Sequence, residues 1–334
     1  MTKKISAISL IVIAVLPFDA SARPRQYNGE VINASRDSIA MTGAEVHLVK
    51  MDRGGASVTE IDQTVTDDSG RFSFRTTDPD TAALYFAAAD HQGLRFFSRN
   101  RPDRAMRIVV YDSTQDARDI KTLMHHIVIE GEPKTASLRE TRIIQNPGRK
   151  ALTNVFEEDP VGMATIKFPL PQNAIRFQPL SSRMSGELIT HGSTVYDKGV
   201  YLPGNNQVSY GYQIPLSEKG TRIVLPLTGS TQSLELFINP LNITFSSDDF
   251  RDEGPFAIRG GTFQRYSAIE LAGASSVSFT LQSVGGSGQS PHLTLGLTLF
   301  ALALLTLAGY ARSKKAAQGG TQTAGRNGKR RKDI

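Results

Sequence analysis

Residues 64–74 read TVTDDSGRFSF, and the reading of that stretch sets the reading of the chain. Gln63 to Thr66 and Arg71 to Phe74 are short runs of strand-forming residues. Asp67, Asp68, Ser69 and Gly70 between them supply the residues of a tight turn, and Gly70 takes positive φ without strain. The stretch therefore predicts a hairpin. In its second strand Phe72 and Phe74 share one face, while Arg71 and Ser73 take the other. One face packs and the other meets water.

The same pattern recurs in both directions. Tyr27 to Ile32, Ala44 to Val49, Ala83 to Ala87, Leu94 to Phe97 and Arg107 to Tyr111 are short, β-branched or aromatic, and separated by Gly, Asp, Asn and Pro. A polar stretch from Asp112 to Leu123 marks the expected domain boundary. Beyond it the pattern resumes at His126 to Ile129, Ser137 to Ile144, Ala164 to Phe168, Ala174 to Phe177, Gln207 to Gln213, Arg222 to Leu227, Ser233 to Ile238, Phe256 to Ile258, Phe263 to Ile269 and Ser276 to Leu281. The expected fold class is an all-β ectodomain of two β-sandwich domains, at 23–115 and 120–283, the second immunoglobulin-like.

The two ends of the chain read differently. Lys3 and Lys4 precede an apolar core from Ile5 to Leu16, and Ala20-Ser21-Ala22 offers a cleavage site, so residues 1–22 read as a secretory signal peptide. Leu293 to Ala311 is an uncharged, mostly apolar run followed by Arg312, Lys314 and Lys315. As a helix it is about 28 Å long, close to the ~30 Å hydrocarbon thickness of a bilayer. Residues 292–311 are therefore expected to span the membrane once. Residues 284–291 form a Gly/Ser linker, and the positive-inside rule keeps the basic tail 312–334 in the cytoplasm.

The net charge of +6 belongs to that tail, where eight Lys and Arg face Asp333 alone. With the tail and the leader set aside, the exported part carries about −2, so it has no footprint for nucleic acid. Cysteine is absent. Disulfides, thiolate nucleophiles and thiolate metal sites are excluded with it, and the ectodomain must hold together by core burial.

Here the residues carry a resemblance. Gly29-Glu30-Val31, then Thr42-Gly43-Ala44-Glu45-Val46-His47-Leu48, then TVTDDSGRFSF resembles the carboxypeptidase regulatory-like domain, a transthyretin-like β-sandwich, over residues 26–113. In that likeness the glycines permit turns and the alternating aromatics seal the sandwich. The resemblance implies an accessory module without peptidase residues, from a carbohydrate-binding-like superfamily. The second half, with turns at Asn146-Pro147, Leu170-Pro171 and Leu202 to Gly204 before Val208-Ser209-Tyr210-Gly211-Tyr212, is similar to bacterial membrane-anchored proteins that pair such a domain with a second β-sandwich. Some of these are encoded near cytochrome c maturation factors. The implied location is the bacterial inner membrane, with the ectodomain in the periplasm or outside.

A search for chemistry returns few candidates. The chain has no His-Glu-x-x-His, no Gly-x-Ser-x-Gly elbow and no phosphate loop between a strand and a helix. His125 and His126 are adjacent and face opposite ways on a strand, so with Glu130 they make a metal site only if other elements complete it. Asp248, Asp249, Asp252 and Glu253 crowd one loop with hard oxygen ligands of the calcium type, though not at EF-hand spacing. Glu157, Glu158 and Asp159 read as an exposed turn. Tyr210 and Tyr212 share a strand face and, with Tyr196 and Tyr201, are either a tyrosine platform for a sugar or part of the core. Of Phe96 and Phe97, one points outward and is a candidate contact. No cofactor is expected. The expected function is non-enzymatic: binding or scaffolding a protein partner, as an assembly or maturation accessory. The alternative is a glycan or cell-wall ligand on the transthyretin-like domain.

Overall fold

The computed structural model describes residues 25–284, apart from 53–56, 77–79, 81–82, 99–104, 157–159, 181–186, 242, 259–260, 269–270 and 272–273. The expected signal peptide, nearly all of the linker 284–291, the span Leu293 to Ala311 and the basic tail lie outside the described residues. Among the described residues no helix is long and apolar enough to cross a membrane. The chain is nearly all β and divides into two compact units between Val110 and Tyr111.

The first unit contains β1 (Arg25–Asn33), β2 (Ile39–Ala40), β3 (Glu45–Met51), β4 (Val58–Val65), β5 (Arg71–Thr76), β6 (Leu84–His91), β7 (Leu94–Phe97) and β8 (Met106–Val110). In one sheet β1 pairs antiparallel with β5 and β2, and parallel with β8. The other sheet has the order β4-β3-β6-β7, all antiparallel. Alternation in β5 buries Phe72, Phe74 and Thr76 and exposes Arg71, Ser73 and Arg75.

The stretch that opened the sequence reading forms its turn but not a hairpin. Asp67 Oδ1 accepts from the backbone N–H groups of Ser69 and Arg71, and Gly70 sits at φ 72°. β4 and β5 nevertheless belong to different sheets. Thr66 exchanges backbone bonds with Gly43 and Ala44, which ties the end of β4 to the β3 side, while Gly70 O accepts from Val31 N on β1. The turn is an arch between sheets because those partners outcompete each strand for its sequence neighbour.

Gly29 lies within β1, as the expected strand Tyr27 to Ile32 placed it. A Cβ there would stand 2.2 Å from Met106 O and 2.3 Å from Phe72 Cζ, so its lack of a side chain permits close packing of three strands. Gly29→Ala is expected to destabilise the first unit by about 1–3 kcal/mol, the usual cost of overpacking. A urea midpoint unchanged from wild type would refute that account.

The second unit contains β9 (Ser113–Thr114), β10 (Lys121–Gly131), β11 (Thr135–Asn146), β12 (Ala151–Leu152), β13 (Ile166–Pro169), β14 (Ile175–Pro179), β15 (Leu188–His191) and β16 (Thr194–Asp197). It continues with β17 (Gly204–Pro215), β18 (Thr221–Pro226), β19 (Ser230–Thr231), β20 (Leu234–Ile238), β21 (Ile243–Ser246), β22 (Phe250–Ile258), β23 (Gly261–Ala268) and β24 (Ser276–Ser283). Residues Asp112 to Thr114, read from sequence as interdomain polar chain, join this unit: β9 pairs parallel with β12, and Asp112 O accepts from Ala151 N.

The main sheet has the order β14-β17-β11-β10-β20-β23-β22, with β19 also paired to β10. Its inner face shares one hydrophobic cluster with two three-stranded sheets, β13-β16-β15 and β18-β24-β21. Ile127, Leu138, Phe168, Leu236 and Phe279 sit at the centre of that cluster. Both edges of the main sheet are irregular. β22 carries a bulge between Asp252 and Gly254 beside exposed Arg251 and Glu253, and β14 carries one between Ile175 and Gln178. Bulges and charges of this kind discourage edge-to-edge pairing.

Candidate functional site

The inner face of β10, β11 and β17 carries five polar side chains in the middle of the hydrophobic cluster. Strand alternation places Leu138, Glu140, Arg142 and Ile144 together, and the register sets Glu140 opposite Tyr210, Leu138 opposite Tyr212 and Arg142 opposite His125. His125 shares the parity of Ile127 and Ile129, so it faces inward and His126 outward, and a bulge between Thr122 and Met124 interrupts the strand just before them.

Glu140 is the hub. Its Oε2 accepts from His125 Nε2 at 2.8 Å, Arg142 Nη2 at 2.8 Å and Tyr210 OH at 2.8 Å, and its Oε1 accepts from Tyr212 OH at 2.7 Å. The Arg142 guanidinium carbon lies 5.0 Å from the centre of the Phe168 ring. Glu140, Arg142, His125 and Tyr210 have no exposed surface.

Charge states follow from this packing. Burial pushes the Glu140 carboxyl up, but the neighbouring Arg142 and His125 outweigh it and hold the group well below the ordinary carboxylate range. Burial, with Arg142 adding to it, lowers His125 to about 4 against its ordinary 6.5. Burial raises both tyrosines well above their usual value. At neutral pH the cluster therefore holds one carboxylate, one guanidinium and three neutral groups, and its charge sums to zero. A carboxylate cannot donate, so His125 carries its proton on Nε2. The carboxylate is saturated by its own neighbours and out of reach of solvent, so the arrangement ties three strands together.

Tyr210 and Tyr212 do share a face, but it is the buried one, and Tyr196 and Tyr201 are buried as well. Of the two readings, platform or core, the tyrosines take the core, with the hydroxyls on Glu140 and, for Tyr201, on Asp197 Oδ2 at 2.5 Å. Phe96 points into the first unit and is buried, whereas Phe97 is half-buried on the opposite face, 5.6 Å from Phe86. His126 lies 3.3 Å from Glu235, which pairs with Arg265, and Glu130 pairs with Arg139. His125, His126 and Glu130 therefore do not converge.

The acidic loop is dispersed in the same way. Asp249 Oδ2 accepts from Ser278 N, Asp252 Oδ1 from Gly254 N, and Glu253 Oε1 from Arg251 and Ser267, while Asp248 is exposed in the turn before β22. Among the described residues no group of three His, Asp or Glu could hold a metal ion. Glu157, Glu158 and Asp159 lie outside the described residues. The reading by sequence missed the Glu140–Arg142 pair. The signal was present in Leu138-x-Glu140-x-Arg142-x-Ile144, charged residues on the parity of apolar ones.

No family model matches the chain, and no curated protein matches it. Solved structures with partial likeness include M1 zinc metallopeptidases. One from Deinococcus radiodurans has a TM-score of 0.31 and 9% identity, covering 49% of this chain and 42% of that one. A two-domain mutant form bound to L-tryptophan has a TM-score of 0.30 and 8% identity, covering 49% of this chain and 43% of that one. The chain thus matches less than half the length of those structures. Likeness at this level assigns neither a fold family nor an activity to the chain.

Proposed function

We propose that the chain is a non-enzymatic, single-pass protein of the bacterial inner membrane whose two β-sandwich modules bind or scaffold a protein partner outside the cytoplasm, as an assembly or maturation accessory. In this reading the first module is transthyretin-like, of the carboxypeptidase regulatory-like kind, and the second immunoglobulin-like. The observation that carries the proposal is the fate of the acid and base side chains. The fully buried set of them, around Glu140, is sealed in the core and bonded to itself, so it serves the fold and not a substrate. The apolar runs at Ile5 to Leu16 and Leu293 to Ala311 support export and anchoring.

Cross-linking of the full-length chain in native membranes, followed by mass spectrometry, is expected to recover a reproducible protein partner. Recovery of the chain always alone would overturn the proposal. The glycan alternative, on the first module, has less support, because Phe96 there is buried and Phe97 is half-buried. Retention on peptidoglycan or a glycan array, with no protein partner cross-linked, would favour it.

A further inference from the structure

We infer that the second unit binds an extended acidic peptide in a groove on the outer face of its main sheet, with Arg176 receiving the carboxylate. The inference rests on the proposed function and names the chemistry of the partner. The groove has a volume of about 180 Å³ and lies where β11, β17 and β14 run side by side. Ser137, Arg139, Gln213, Arg176, Gln178 and Leu180 line it, and Gly211 opens its floor. The register places Gly211 directly between Arg139 and Gln178, so a missing side chain leaves the space. Small-molecule pockets span roughly 300–1,000 Å³. A space this small takes one side chain of a ligand that lies across it.

Arg176 is the second observation. It occupies φ 52°, a left-handed conformation that glycine adopts freely and arginine does not. The bulge in β14 sets Arg176 and Phe177 against Tyr212 alone. Phe177 keeps its place beside the Tyr210 ring at 5.8 Å, and the exposed Arg176 donates to Gln213 Oε1 at 3.1 Å. Bulges re-aim side chains in this way next to functional sites, and backbone strain collects at such positions.

The charges point to a carboxylate. The lining holds two guanidinium groups and no acidic residue. Arg139 is ion-paired with Glu130 at 3.2 Å, and Glu132 beside the groove accepts from Ser137 Oγ at 3.1 Å, so the exposed Arg176 is the charge that faces a ligand. A guanidinium fork matches a carboxylate in geometry and charge. A peptide fits better than a sugar. Ile175 and Leu180 are exposed at the two ends of β14 and offer apolar contacts to an extended chain that lies along the groove. The groove offers no flat ring, since Tyr212 turns its hydroxyl to Glu140 in the core.

The test uses the full-length chain on an array of extended hexapeptides that differ only by Glu, Asp, Gln or Lys at one position, beside an array of uronic-acid oligosaccharides. Retention on the Glu and Asp peptides is expected to exceed that on the Gln and Lys peptides at least tenfold. Arg176→Gly relieves the backbone conformation while removing the guanidinium, so it should lose that preference with an unchanged or raised thermal midpoint. Gly211→Ala adds a Cβ with no contact closer than 3.4 Å, and should reduce retention while the fold persists. Equal retention on Gln peptides, preference for the uronic acids, or retention that survives Arg176→Gly would overturn the inference. The native-membrane cross-link separates this from the broader reading: a partner still recovered with Arg176→Gly leaves the proposed function standing and removes the groove from it.

Discussion

Replacing Glu140 by glutamine is expected to lower the unfolding free energy of the second unit by about 3–5 kcal/mol, the typical cost of removing one partner from a buried ion pair. The size follows from what is left behind. Arg142 has no exposed surface, and without the carboxylate its guanidinium is a buried charge whose remaining neighbours are the Phe168 and Tyr210 rings and neutral donors. The hydroxyls of Tyr210 and Tyr212 and the His125 Nε2–H lose a charged acceptor at the same time. The chain has no tryptophan, so urea titrations would be followed by far-UV circular dichroism. Arg142→Met should also destabilise, and the double variant should cost less than the two singles together by about 0.5–3 kcal/mol, the usual coupling of groups in one network. A Glu140→Gln chain within about 1 kcal/mol of wild type would contradict the assignment of Glu140 as the hub.

The second large effect is in the pH dependence. His125 in the folded chain takes up a proton near pH 4, whereas the unfolded chain binds it at the ordinary 6.5. Above 6.5 both states are neutral there and the contribution to stability is fully present. Between 6.5 and 4 only the unfolded state gains the proton, so stability falls as pH falls, by about 3 kcal/mol for a shift of this size. The groups facing His125 are Glu140 and Arg142 on β11, with the tyrosine hydroxyls of β17 on the same carboxylate. Glu140 acts in the same direction but lower: its depressed value contributes stability above its ordinary 4.5, which is lost on further acidification. His125→Gln should flatten the curve between pH 6.5 and 4 relative to wild type. Parallel curves for the two chains would show that His125 does not carry the effect.

Much of the strand pattern was legible because alternation is local. Phe72 and Phe74 in β5, and the long runs that became β10, β11 and β17, announce themselves by residue type and spacing. The hairpin Leu188–His191 with Thr194–Asp197 did not, because two strands of four residues hold too few alternations to stand out from a polar loop. The expected hairpin at 67–70 had the right turn chemistry and the wrong partners. Asp67 and Gly70 fix how the backbone bends, but the groups that pair with Thr66 and Gly70 lie in distant segments.

By itself, the sequence determined the strand-rich class, the absence of thiol chemistry, and the two apolar runs at the ends of the chain. These depend on composition and on spacings of a few residues. Only the tertiary structure decided that His125 faces inward, that Tyr210 and Tyr212 bond a buried carboxylate, and that Gly211 and Arg176 open and arm a groove. Each of those follows from cross-strand register and bulges, where one residue of slip turns a side chain from core to solvent, and register is set by strands far apart in the chain.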